Sequence, residues 1–216
     1  MNNPTLPVAQ FNDVLLIDFD GTLFNTTLLK ETLTTQLKKY TQDTQLLWET
    51  EKKLRDKQTH LAEAITEFCK KAGITDVESE IQNLFLNQQF PQFVYPEVFE
   101  ALSSLSRKAT LCIFSQGDEL FQQVKVHQSN LSAYFQYFFI FHKKIPELEK
   151  IAKQFEAKTL WIIDNKVEIL KDAANLIPTI KTVHMLREEY DIDPSFQPTH
   201  RVESFAQLDG LMVSSK

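Results

Sequence analysis

Apolar residues fall along this chain in two patterns. The first is a short, dense run of branched and aromatic residues, as in Val-Leu-Leu-Ile at 14–17. Such runs recur at 110–114, 137–141, 160–163 and 179–183, with a shorter piece near 200–203. Runs of this length and composition read as buried strands. The second pattern is helical spacing, as in Leu61, Ala64, Ile65 and Phe68, which puts apolar side chains on one face of a helix. Between residues 24 and 93 only the second pattern is present. It predicts helices over 25–40, 43–57, 59–72 and 77–89, with Gly73 as the stop of the third. From residue 97 onward the two patterns alternate. Helices at about 97–107, 118–129, 146–156, 166–177 and 204–212 separate the strand runs. Alternating strands and helices imply an α/β fold with a parallel sheet covered on both faces. Residues 1–10 read as a loose lead-in, and the acidic, Pro-containing stretch 188–198 as a loop.

Composition narrows the classes without choosing one. The 216 residues can bury a sizeable core, and 43% hydrophobic with 24% charged residues is ordinary for a globular protein. A formal charge of -6 gives no basic footprint for nucleic acid. No apolar run reaches the length of a membrane span, and the first residues lack the basic and apolar regions of a secretory signal. Cytoplasm is therefore the expected location. Cys69 and Cys112 read as buried small residues rather than a disulfide or metal pair. The five His are scattered and suggest no transition-metal site. Charges nearly balance over 24–95, and the lysine pairs there read as solvated helix faces.

Chemistry concentrates at the predicted strand ends, where open α/β sheets bind ligands. The first run ends in Asp18-Phe-Asp20-Gly21-Thr22. Two carboxylates two residues apart point to one side, and that crowding is costly unless a cation or a shared proton relieves it. A calcium loop does not fit, because its sixth and twelfth positions, Gly and Glu in that motif, are Leu23 and Leu29 here. The second run ends in Ser115-Gln116-Gly117, a turn that exposes backbone N–H groups at a helix start, suited to an anion. His142, Lys143 and Lys144 follow the third run, and Asp164 and Asn165 follow the fourth. Taken singly these are an ordinary hydroxyl, an exposed lysine and a helix cap. Together they offer three carboxylates, a cation and an anion nest at one sheet edge, a set suited to Mg²⁺ and phosphate.

The ordered set Asp18-Phe-Asp-Gly-Thr, Ser115, a lysine after the third run, and Asp164 resembles the four motifs of the haloacid dehalogenase superfamily. The resemblance covers nearly the whole chain. It implies a Rossmann-like core over residues 1–23 and 94–216, with residues 24–93 as an α-helical cap. It implies a Mg²⁺-dependent phosphatase acting on a small phosphorylated metabolite, with no nucleic-acid or membrane partner. Asp18 would be the nucleophile and Asp20 the acid and base. Ser115, Gln116 and Lys144, or alternatively Lys143, would bind phosphate. Asp18, Asp164 and the main-chain carbonyl of Asp20 would hold the metal. The fourth motif departs from the common pattern: Asn165 and Glu168 stand where relatives often carry Asp. Asn165 and Glu168 are expected behind the ligands, Glu168 holding Lys144 or a metal-bound water. Phe24 and Asn25 are the expected substrate-facing positions. Alternatives are a phosphomutase, against which Thr22 leans, or a related binding module with little or no activity.

Overall fold

The computed structural model describes residues 11–55, 60–156, 158–187 and 192–214. Six parallel strands form one sheet: β1 (Asp13–Ile17), β2 (Thr110–Gln116), β3 (Tyr137–Phe141), β4 (Thr159–Asp164), β5 (Lys181–Met185) and β6 (His200–Val202). Their spatial order is β3-β2-β1-β4-β5-β6. The order runs outward in both directions from β1, so the crevice where connections diverge lies at the carboxyl end of that strand. Register then fixes the chemistry. Ile17 pairs with Ile163, which sets Asp18 and Asp164 side by side at adjacent strand ends. A bond from Asp18 N to Ile163 O at 2.9 Å continues the ladder one step further.

Alternation along β1 feeds two apolar layers. Leu15 and Ile17 face one with Leu102, Leu111, Trp161 and Phe205, while Val14 and Leu16 face the other with Phe114, Ile151, Ile162 and Leu170. Helices α5 (Val98–Leu105), α6 (Glu119–Gln128), α7 (Leu148–Gln154), α8 (Val167–Leu176) and α9 (Phe205–Ser214) connect or close the strands.

Between β1 and α5 lie α1 (Thr26–Leu37), α2 (Gln45–Arg55), α3 (Leu61–Ala72) and α4 (Glu78–Leu86), then a 3₁₀ turn at Phe90–Phe93. Leu29, Leu33, Phe68 and Phe85 from these helices join the β1 layer in one continuous apolar cluster. Gly73 ends α3 at φ 66°, its N–H reaching Cys69 O and Lys70 O, as the sequence predicted. The chain leaves and rejoins the sheet side by side. Asn25 N donates to Phe93 O at 2.7 Å and Tyr95 N donates to Leu23 O at 3.2 Å.

The second strand runs on through Ser115 and Gln116, where a turn was expected, and two other elements begin later than expected. The fifth strand starts two residues later, after the Pro178–Thr179 turn, and so takes in His184 and Met185. Pro146 lies in a 3₁₀ turn, Ile145–Glu147, and α7 starts only at Leu148. The expected lead-in over 1–10, the predicted helix ends at 56–57 and 59, and the first part of the 188–198 loop fall outside the described residues. No described helix is long and apolar enough to cross a membrane.

Candidate active site

Asp18 and Asp164 share one cation. Lys144 Nζ donates to Asp18 Oδ1 at 2.6 Å, to Asp164 Oδ2 at 2.6 Å and to Phe114 O at 3.1 Å. All three charged side chains are buried. Lys143, by contrast, is exposed, so Lys144 is the lysine the strand ends bring to the carboxylates. Asp164 Oδ1 also accepts from Lys166 N at 2.9 Å, closing the turn into α8. Two acids against one lysine leave an excess negative charge in a place with little water. Burial, and then the neighbouring Asp164, push the Asp18 carboxyl up to about 6 although Lys144 pulls the other way. Burial disfavours the charged Lys144, but Asp164 and Asp18 hold its pKa above the ordinary lysine value.

Asp20 sits two residues on and meets different partners. Lys125 Nζ donates to its Oδ1 at 2.5 Å and Oδ2 at 2.6 Å. Gln122 Nε2 donates to Oδ2 at 2.6 Å, and Thr26 Oγ1 to Oδ1 at 2.9 Å. Burial alone would raise this carboxyl; the Lys125 charge and the three donors outweigh it and hold Asp20 at about 2.

Gly21 turns the chain just after Asp20 at φ +75°, and a Cβ there would lie 2.5 Å from Asn165 Nδ2. Glycine is therefore needed both for its conformation and for the close approach. Thr22 Oγ1 donates to Asp18 Oδ2 at 3.3 Å and lies 3.5 Å from Asn165 Oδ1. Asn165 thus links the turn after β1 to the turn after β4. Arg187 holds the same turn from outside: Nε and Nη2 donate to Thr22 O at 3.1 and 2.9 Å, and Nη1 pairs with Glu97 at 2.9 Å.

These groups open onto a cavity of about 300 Å³. The sheet edge contributes Asp18, Asp20, Gln116, Gly117, Lys144 and Asn165, and the helices before α5 contribute Thr26, Lys30, Trp48, Glu51, Ala64 and Phe85. Gln116 Oε1 also accepts from Lys144 N at 3.3 Å. Ser115 and Asp164 do not line the cavity and are fully buried. The Ser115 hydroxyl finds no hydrogen-bond partner among the described residues.

Two expectations fail. Glu168 does not hold Lys144, whose partners are Asp18, Asp164 and Phe114 O. Glu168 is exposed in the first turn of α8, because Val167 and Leu170 take the inward face. Phe24 and Asn25 do not face the cavity. Phe24 is fully buried against Phe19, with ring centroids 5.0 Å apart. Asn25 caps α1 by accepting from Leu28 N at 2.8 Å. The cavity is reached instead one helical step later, at Thr26 and Lys30. Gln122, Lys125, Thr26 and Arg187 went unnoticed in the sequence. The available signal was Gln122-x-x-Lys125, a spacing that puts both side chains on one helix face just after a strand end.

The profile of the haloacid dehalogenase-like hydrolases matches residues 13–187. The chain belongs to this family. As a haloacid dehalogenase-like hydrolase it shares its fold with many solved structures. A haloacid dehalogenase-like hydrolase from Burkholderia xenovorans LB400 superposes with a TM-score of 0.83 at 21% identity, over 94% of this chain and 98% of that one. The HAD-hydrolase YfnB from Bacillus subtilis, solved bound to magnesium, gives 0.69 at 15% identity, over 94% and 99%. The L-2-haloacid dehalogenase from Xanthobacter autotrophicus, with chloropropionic acid covalently bound, gives 0.68 at 11% identity, over 96% and 100%. No curated protein sequence matches the chain significantly.

Proposed function

We propose that this hydrolase is a Mg²⁺-dependent phosphomonoesterase acting on a small phosphorylated metabolite through an aspartyl-phosphate, with residues 24–93 as its cap. The observation that carries the reading is the pair of carboxylates on one cavity wall with opposite tunings. Lys144 neutralises part of the charge around Asp18, and Asp20 is fixed separately by Lys125. Asp18 attacks phosphorus as the bond to the leaving oxygen breaks, which makes Asp18 the phosphorylated residue. Asp20, ionised at rest, takes up the proton of the bound phosphate monoanion and passes it to the leaving oxygen as the ester bond breaks. It then takes a proton from the water that cleaves the aspartyl-phosphate. Its resting contacts stabilise the ionised form, which is the form the second step needs. The Ser115 hydroxyl lies off the cavity, but it is buried and, among the described residues, unpartnered at the end of β2, a costly state that a phosphate oxygen bound there would relieve.

A divalent cation fits the residues present. Asp18 and Asp164 carry more negative charge than Lys144 offsets, and Mg²⁺ is commonly held by one or two carboxylates with waters and phosphate oxygens. Among the described residues no three His, Cys, Asp or Glu side chains gather as a metal cage. The ion would therefore depend on these two carboxylates, the Asp20 carbonyl and the substrate. When bound, it offsets charge on the transferring phosphoryl group.

The test is phosphate release from a panel of metabolite phosphates and an aryl phosphate, run beside 2-chloropropionate. Expected is phosphate release that EDTA abolishes and that Asp18→Asn lowers by about 10⁴-fold or more. Halide release without phosphate release would replace this reading with dehalogenation. Undiminished activity in Asp18→Asn would remove the nucleophile.

A further inference from the structure

Asp20 is held more completely than its place at a cavity wall requires. Both carboxylate oxygens are engaged, by donors from two separate elements: Lys125 and Gln122 on α6, and Thr26 at the start of α1. The Lys125 side chain is almost wholly buried, with its ammonium 5.6, 5.8 and 5.0 Å from the ring centres of Phe19, Phe24 and Phe121. A lysine in such a box is costly unless a carboxylate meets it. Asp20 is the carboxylate that meets it, so each side chain fixes the other. Room for Gln122 is made at Gly117: a Cβ there would lie 2.7 Å from Gln122 Nε2. Lys125 and Gln122 are three residues apart on α6 and so share a face. That helix is itself anchored by Asp118, which caps it by accepting from Phe121 N at 2.8 Å.

We infer that Lys125, assisted by Gln122, is a positioning residue that aims the Asp20 carboxylate at the leaving oxygen of the substrate. The inference rests on the phosphatase reading of the site. It goes further in assigning control of the acid–base residue to a helix after the second strand. It also makes a specific demand. Lys125 matters in proportion to how much the leaving oxygen needs a proton, whereas a lysine that merely supported the fold, or simply attracted the phosphate, would act on all esters alike.

Two esters separate these roles. Phenyl phosphate releases a basic phenolate that needs protonation; in 4-nitrophenyl phosphate the nitro group stabilises the departing charge. For Lys125→Met, kcat on phenyl phosphate is expected to fall by about 10²-fold, with a loss under about 10-fold on 4-nitrophenyl phosphate and KM unchanged on both. Lys125→Arg should recover part of the loss. In an Asp20→Asn background, Lys125→Met should add no further loss, because both act through one group. If Lys125→Met fails to fold, as judged by its thermal transition, Gln122→Met is held to the same ester ratio. Equal losses on both esters, a change confined to KM, or multiplied losses in the double variant would overturn the assignment while leaving an active phosphatase. A wild-type protein inactive on both esters would instead remove the phosphatase reading, and this assignment with it.

Discussion

Asp18 and Asp20 are two residues apart, touch the same cavity, and are tuned in opposite directions. Asp18 shares Lys144 with a second buried acid and is pushed up to about 6. Asp20 has Lys125 to itself, with Gln122 and Thr26 adding donors, and is held at about 2. Burial pushes both carboxyls upward, so burial alone does not set their opposite directions. The neighbours set them apart: Asp18 shares Lys144 with Asp164 and has only Lys166 as a lesser further cation, whereas Asp20 has Lys125, Gln122 and Thr26 without a competing acid. Neighbouring carboxylates tuned apart can take different steps of one reaction. A deficit of positive charge at one of them also marks where a cation is welcome.

The comparison can be broken most directly at Lys144. Lys144→Met leaves Asp18 and Asp164 buried together without their cation and should cost about 3–5 kcal/mol in urea unfolding. Adding Asp164→Asn should return part of that loss. A cost no larger than that of a surface substitution would mean charge count does not govern this pair. The opposite tunings should also appear as opposite slopes of stability against pH in metal-free protein. Asp20, whose carboxyl is lowered on folding, contributes about 2 kcal/mol above pH ~4 that is lost as pH falls towards 2. Asp18, whose carboxyl is raised on folding, acts the other way. Its contribution is complete below pH ~4 and is lost as pH rises through 6. Unfolding free energies of Asp20→Asn and Asp18→Asn, each against wild type, should lose the lower and the upper slope respectively. Two slopes of the same sign would contradict the tuning. The smallest effect is expected at the turn that follows the two carboxylates. Gly21→Ala should destabilise by about 1–2 kcal/mol through its positive φ, with Asn165→Ala relieving the part due to contact.

Much of this site was legible because strands are short and their ends are sharp. Asp18, Ser115 and Asp164 each follow or close an apolar run, and parallel register brings such ends together whatever the loops do. Lys144 could be separated from Lys143 only in three dimensions, where one is buried and the other exposed. The direction of Glu168 is not legible in the sequence because it depends on the residue at which α8 begins. The burial of Phe24 is not legible either: in a chain with 17 Phe, sequence does not say which of them pack into the core. Lys125 and Gln122 lie outside any strand end. Their reach to Asp20 depends on the placing of α6, a tertiary fact that helical spacing hints at without revealing the partner.

The adjacency of residues 23–25 and 93–95 has a consequence for how such a protein can change. To the sheet, everything between those two short segments is one closed loop whose ends already touch. The entropy of closing a loop grows only logarithmically, by about 0.6 kcal/mol for each doubling of its length. The helices that supply Lys30, Trp48 and Phe85 to the cavity can therefore be lengthened, shortened or exchanged at little cost to the strands that carry Asp18 and Asp164. The carboxylate wall of the cavity and its helical wall lie on parts of the chain that can vary at different rates.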